Sequence, residues 1–207
     1  MTSRPPTFRG DPSDPGALRP FVQGRRIIVG ISGGIAAYKS AFVVSRLAQA
    51  GAEVSVLMTE SATKFVTPLT FQALSGRHVF TSAWEHVESK DPQHINLATS
   101  ASLALVAPAS MDFLAKLAHG RTDDVVSLVL SAVDRAKTPV LLAPAMNAVM
   151  WSQPSNQRNL ATLRGDGFSF IGPAEGWQAC RTEGTGRMSE PADILEAVAN
   201  SLGPVVG

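Results

Sequence analysis

Short apolar runs rich in β-branched residues alternate along this chain with stretches of helical spacing. Arg26–Ile31 (RIIVGI) reads as a strand running straight into a glycine turn, Ser32-Gly33-Gly34. Residues 35–50 follow with Ala36, Phe42, Val43, Leu47 and Ala50 available for one helical face, and Gly51 suits the stop. Glu53–Met58 (EVSVLM) is the next strand. Thr67-Pro68 then opens a short helix through Leu74, with threonine as N-cap and proline in the first position. Residues 103–107 (LALVA) and 139–143 (PVLLA) are continuously apolar, as expected of strands covered on both faces. Between them Ser110 is placed to cap a helix through Ala118, and Asp123 another through Val133. Residues 168–171 make a weaker strand, and Pro191 opens a last amphipathic helix to about Leu202.

Buried strands alternating with helices predict an α/β fold: a Rossmann-like (flavodoxin-like) parallel sheet with helices on both faces, in one domain spanning 25–207. Such sheets bind ligands beyond the carboxyl ends of their strands. The loops at 32–34, 59–67, 108–111 and 144–150 are therefore expected to share one edge and to build the site. Before Arg25 the pattern fails, because proline, glycine, serine and aspartate crowd the first residues. Residues 1–24 are expected to form a disordered or loosely docked arm outside the core.

Composition narrows the classes. A chain of 207 residues with 44% hydrophobic and 17% charged positions suits one folded domain and excludes disorder along its whole length. A formal net charge of +1 argues against a nucleic-acid binder or a polybasic membrane anchor. No apolar stretch approaches the roughly 18 residues of a spanning helix, so a soluble, cytoplasmic protein is expected. A single cysteine excludes an internal disulfide and a cysteine-rich metal site. His78, His86, His94 and His119 lack metal-ligand spacing, and no metal is expected.

The glycine turn sits between a strand and a helix, where free N–H groups and the helix dipole favour a phosphate. It is not a Walker A loop, since Tyr38 stands where the glycine before Lys39-Ser40 belongs, and its spacing after Gly30 does not fit GxGxxG. Asn147 follows a buried strand and carries both a donor and an acceptor for orienting a carboxylate or amide. Met146, Met150 and Trp151 beside it read equally well as core. Cys180, alone, reads as a small buried hydrophobe, but it lies in 176–187, a glycine-rich stretch without helical or strand pattern that suits a lid.

Together these residues carry a resemblance. Pro144-Ala145-Met146-Asn147-Ala148-Val149-Met150-Trp151 matches PxMNxxMW in full. Around it stand GISGGIAAYK at 30–39, FVTPLTFQALSG at 65–76, His94-Ile95-Asn96-Leu97, Ala107-Pro108-Ala109-Ser110, and a lid-like run from Ala179-Cys180-Arg181 to Gly186-Arg187-Met188. On these motifs the chain resembles the homo-oligomeric flavin-containing cysteine decarboxylases from about residue 25 to 202. Two positions depart from the family pattern: Arg181 replaces a lid glycine, and Met111-Asp112 replaces the Ala-Asn or Ala-Asp often found after Ser110.

The resemblance implies FMN as cofactor, with Gly33, Gly34 and Ile35 at its phosphate region, Thr59 on the next loop, and Ser110 and Met111 along its other contacts. It implies His94 as the active-site histidine, Asn147 and Met150 as substrate-positioning residues, and Cys180 as the late proton donor. The substrate implied is 4'-phosphopantothenoylcysteine, decarboxylated to 4'-phosphopantetheine in coenzyme A synthesis. A homo-oligomer built on trimers, with flavin at subunit interfaces, is also implied, as is a separate ligase chain to make the substrate. The chemistry is sensible. A cysteine carboxylate leaves with difficulty because nothing stabilises the carbanion, and oxidising the CH₂–S⁻ unit to a thioaldehyde places an electron sink β to it.

Three alternatives remain at this stage. A peptidyl-cysteine decarboxylase shares PxMNxxMW and differs in lid and pocket walls. A flavin prenyltransferase shares the sheet but is disfavoured by Asn147, His94 and Cys180. A non-enzymatic flavin-binding regulatory subunit predicts loss of Asn147 or Cys180, and both are present.

Overall fold

A computed structural model describes residues 7–84 and 93–205 of the chain. Six parallel strands form its main sheet: β1 (Arg26–Ile31), β2 (Glu53–Met58), β3 (Val79–Phe80), β4 (Leu103–Ala109), β5 (Val140–Pro144) and β6 (Ser169–Phe170). Their order is β3-β2-β1-β4-β5-β6. This is the 3-2-1-4-5-6 order of a Rossmann-like doubly wound sheet, with two-residue β3 at one edge. The order reverses between β1 and β4, and the crevice beyond their carboxyl ends is the position such sheets use for ligands. A second, antiparallel sheet consists of β7 (Ala174–Trp177) and β8 (Glu183–Arg187). The helices are α1 (Pro15–Val22), α2 (Ala37–Gln49), α3 (Glu60–Thr63), α4 (Pro68–Ser75), α5 (Gln93–Ser100), α6 (Met111–Ala118), α7 (Val125–Ser131), α8 (Ala148–Ser152), α9 (Pro154–Gly165) and α10 (Pro191–Leu202). None of them is long and apolar enough to cross a membrane.

The pleat divides the central strands between two cores. Ile27, Val29, Ile31, Leu103, Leu105 and Ala143 pack with Leu18, Val43, Leu47, Phe71, Ile194 and Val198 from α1, α2, α4 and α10. Their neighbours Ile28, Ala104, Val106 and Leu142 pack on the other side with Phe113, Leu114, Val126, Leu130 and Leu160 from α6, α7 and α9. Each fully buried side chain of this size contributes about 1.5–3 kcal/mol, so continuously apolar β4 and β5 anchor both layers. At Gly30 the approach is closest: a Cβ there would lie 2.5 Å from Val126 Cγ1 and 3.3 Å from Val106 Cγ2. Gly30→Ala is expected to destabilise the protein by about 1–3 kcal/mol through overpacking, read as a lower denaturant midpoint with unchanged m-value.

Several expectations are corrected. Residues 7–24 are not a loose arm. Asp14 caps α1, accepting from Gly16 N–H at 2.8 Å, and Leu18 and Val22 are fully buried against α2 and α10. Phe8 stacks edge-on against Phe21, and its N–H donates to Asn200 Oδ1 at 2.7 Å. The i, i+4 pair of Leu18 and Val22 is too short a pattern to stand out among prolines. The helix after the glycine turn begins at Ala37, two residues later than expected, and Phe42 is 38% exposed on it rather than core. Thr67 stands at the N-cap of α4 without a side-chain cap bond. The cap of α7 is Asp124, whose carboxylate accepts from Val126 and Ser127 N–H. Asp123 instead pairs with Lys116 and Arg121. Residues 176–187, expected as patternless loop, belong to the hairpin in which β7 and β8 pair antiparallel. His86 lies outside the described residues.

Candidate active site

Four chain segments converge on one cavity of about 770 Å³ at the β1/β4 reversal, within the size range of small-molecule and cofactor sites. The first is the glycine turn. Ser32, buried, donates through Oγ to Pro108 O at 2.8 Å and accepts from Ser110 N–H at 2.8 Å, stitching the loops after β1 and β4 together. Gly33 must lack a side chain, because a Cβ there would lie 2.6 Å from Ser61 Cβ. At Gly34 a Cβ would meet only Pro108 Cγ, at 3.9 Å, so this backbone faces open space beside the cavity. Helix α2 starts here without a side-chain cap, leaving its N-terminal end to whatever occupies the cavity. Lys39 on its first turn is 14% exposed and donates to both oxygens of Glu190, at 2.9 and 3.0 Å. Arg187 Nη1 lies 3.1 Å from the same carboxylate. Two cations of the cavity wall thus share one carboxylate.

The second and third segments follow β2 and β4. Thr59 caps α3 through Ala62 N–H, and its hydroxyl lies 3.0 Å from Ser61 Oγ; Ser61 rather than Thr59 lines the cavity. Ser110 caps α6, with Oγ accepting from Phe113 N–H at 3.3 Å, which places Met111 and Asp112 on the wall.

The fourth segment joins the loop after β5 to the hairpin. Asn147 caps α8, its Oδ1 accepting from Val149 N–H at 2.8 Å, while its Nδ2 donates to Cys180 Sγ at 3.0 Å. The hairpin is held by Met146 N–H donating to Gly186 O at 2.9 Å and Ala148 N–H donating to Gln178 Oε1 at 3.1 Å. Gln178 is buried, and its Nε2 donates back to Gly184 O at 3.2 Å. Gly184 and Gly186, two residues apart, turn the same strand face toward α8. A Cβ on Gly184 would lie 2.8 Å from Ala148 Cβ, and one on Gly186 would strike the Met146 carbonyl. Their φ angles of 155° and 147° are also ones that L side chains rarely adopt. Cys180 is exposed at the tip, and its thiol is held below its ordinary value first by the Thr182 hydroxyl and then by the Asn147 amide.

Of the residues singled out in the sequence, Gly33, Gly34, Ile35, Ser110, Met111, Asn147, Met150 and Cys180 line this one cavity. Thr59 stands one layer behind it. His94 is not brought to it: it is half-buried on the first turn of α5 and is not among the lining residues. Sequence reasoning assigned no role to Lys39, Gln178 or Arg187. The two-residue glycine spacing at 184 and 186 was the available signal that a strand presses there on another backbone.

A doubly wound α/β protein with a nucleotide-sized site at its reversal point and a thiol-bearing hairpin across it is what fold and site define. The chain belongs to the Flavoprotein family, whose model it matches over residues 21–203. It is 45% identical over 176 residues to the coenzyme A biosynthesis bifunctional protein CoaBC of Bacillus subtilis (strain 168), covering 85% of this chain and 43% of that protein. The chain therefore spans less than half the length of this curated relative. Among solved structures it is similar to a cysteine-to-serine mutant of PPC decarboxylase complexed with pantothenoylaminoethenethiol, with a TM-score of 0.74, 30% identity, and coverage of 85% of this chain and 97% of that one. It is also similar to the FMN-dependent cysteine decarboxylase SpaF, with a TM-score of 0.71, 29% identity, and coverage of 84% and 97%.

Proposed function

We propose that this chain is an FMN-dependent carboxy-lyase that converts 4'-phosphopantothenoylcysteine to 4'-phosphopantetheine. The observation that carries it is the Asn147–Cys180 contact at the hairpin tip, over a cavity whose floor is the open glycine turn. Similarity to PPC decarboxylase along nearly that protein's whole length, and to the matching part of CoaBC, supports the substrate.

The cavity suits FMN on its own chemistry. The bare backbone at Gly34, the uncapped start of α2 and the Lys39–Arg187 pair suit a phosphate, while Ile35, Met111, Met146, Met150 and Trp177 offer apolar surface for a flat ring. When bound, FMN supplies the two-electron chemistry, accepting a hydride equivalent from the cysteine side chain and later returning it. Asn147 and Met150 orient the substrate's cysteine end. His94 removes a proton as oxidation begins, and CO₂ then leaves from the thioaldehyde. Cys180 returns a proton to carbon, its thiolate stabilised by the Thr182 and Asn147 donors. A cysteine-to-serine PPC decarboxylase holding an ethenethiol is what an arrested last proton transfer leaves behind, which supports a thiol in this role.

His94 stands outside the cavity of its own chain, so it reaches a reaction centre in this scheme only from a neighbouring copy. A homo-oligomer built on trimers meets that need, and large apolar residues at the cavity mouth, Ile35, Tyr38, Met150 and Trp177, are exposed and suited to a subunit contact. Coenzyme A synthesis carries with it a cytoplasmic location. A peptide C-terminus as substrate is the disfavoured alternative.

Purified protein is expected to be yellow and to release FMN, not FAD, on denaturation. A colourless protein whose fluorescence and absorbance ignore added FMN in titration contradicts the proposal.

A further inference from the structure

We propose that Thr182 is the positioning residue for Cys180, holding the thiol in line with Asn147 and stabilising the sulfur once it has given up its proton. It rests on Cys180 as proton donor for its meaning in turnover, while the contact itself stands on geometry. The hairpin closes with Gln178 N–H donating to Thr182 O at 2.8 Å, and Arg181 N–H donating to Gln178 O at 2.9 Å. Ala179, Cys180 and Arg181 therefore form a three-residue loop, whose last position takes a left-handed conformation, and Arg181 has φ 63°. That turn brings Thr182 back beside Cys180, with Oγ1 3.0 Å from Sγ. Asn147 Nδ2 stands at the same distance from Sγ, and Gln178 Oε1 at 3.6 Å. The sulfur is thus bracketed by a hydroxyl of its own hairpin and an amide from the α8 loop.

The chemistry of the bracket is directional. A hydroxyl either donates to or accepts from a thiol, but toward a thiolate it only donates, so the contact strengthens as the proton leaves. Threonine suits the task better than serine, because its β-branch restricts χ1 and keeps Oγ1 aimed. The charged groups around the site are Arg181 and Glu183 on the loop flanks, Glu175 and Arg187 lower on the hairpin, Lys39 and Asp112 on the cavity walls, and Glu190 behind Lys39 and Arg187. The lowering of the thiol's pKa comes from hydrogen bonds, Thr182 first, working against desolvation.

The chain contains one cysteine, so iodoacetamide labelling reads Cys180 alone. The rate against pH is to be measured for wild type, Thr182→Val, Thr182→Ala and Thr182→Ser. Loss of the hydroxyl in the valine and alanine variants is expected to raise the midpoint by about 0.5–1 pH unit, or roughly 3–10-fold less thiolate below it, with serine restoring most of the shift. A turn merely held together by Thr182 would not give this ordering, because valine keeps the shape and serine loosens it. Equal midpoints in wild type, valine and alanine variants overturn the proposal. A shifted midpoint in a protein that does not decarboxylate leaves the contact standing and removes the enzymatic reading instead. In turnover, the valine variant is expected to slow return of the yellow colour while leaving its initial bleaching rate unchanged.

Discussion

Replacing His94 by asparagine is expected to abolish both CO₂ release and substrate-driven bleaching of the flavin, with turnover falling by about 10²–10⁴-fold. The loss comes early, because without an imidazole near the substrate thiol there is no base to take the first proton. Asparagine keeps similar size on the half-buried first turn of α5, so folding should survive. The same variant tests the origin of the histidine. Co-expressed His94→Asn and Cys180→Ser chains, each inactive alone, should regain partial activity in mixed oligomers, since an intact His94 on one chain then faces an intact Cys180 on another. Mixed oligomers without restored activity would mean that both residues of a site belong to one chain, or that His94 belongs to none.

Cys180→Ser is expected to fail at the other end of the reaction. Oxidation and loss of CO₂ proceed once, the yellow colour bleaches and does not return, and an enethiol derived from the substrate stays bound. The cause is acidity, because a serine hydroxyl is a far weaker acid than a thiol already assisted by Thr182 and Asn147 donors. Stopped-flow absorbance with mass spectrometry of the quenched mixture separates this from the His94 variant, which never bleaches. Turnover of Cys180→Ser at the wild-type rate would reduce the cysteine to a packing residue of the hairpin.

The parts of the fold that read correctly from sequence are those where burial leaves few choices. Every residue of β4 and β5 is buried, which forces continuous apolar runs. Gly33, Gly34, Ser110 and Asn147 were legible because strand ends in a parallel sheet place the following loops on one edge. The hairpin was not legible. Its strands are half-exposed and carry glycines where other strands carry alternating side chains, and the reason is tertiary: β8 presses on Met146 and Ala148. Gln178 was missed for the same reason, since a glutamine in a glycine-rich stretch looks solvated until its amide is found buried between Ala148 and Gly184. Helix α1 failed through composition, because its prolines and glycine hid Leu18 and Val22. His94 is the instructive case. Its motif carried the resemblance, yet α5 buries only Ala98, and nothing in the spacing said that its own chain's cavity would lie elsewhere.

The most direct test is to incubate the purified, FMN-loaded protein with 4'-phosphopantothenoylcysteine beside a peptide ending in cysteine, and to follow both by mass spectrometry. Stoichiometric conversion of the first to 4'-phosphopantetheine, with matching CO₂ release, no added oxidant and an untouched peptide, is the predicted result. A flavin-loaded protein that leaves 4'-phosphopantothenoylcysteine unchanged, or that decarboxylates the peptide instead, would contradict it.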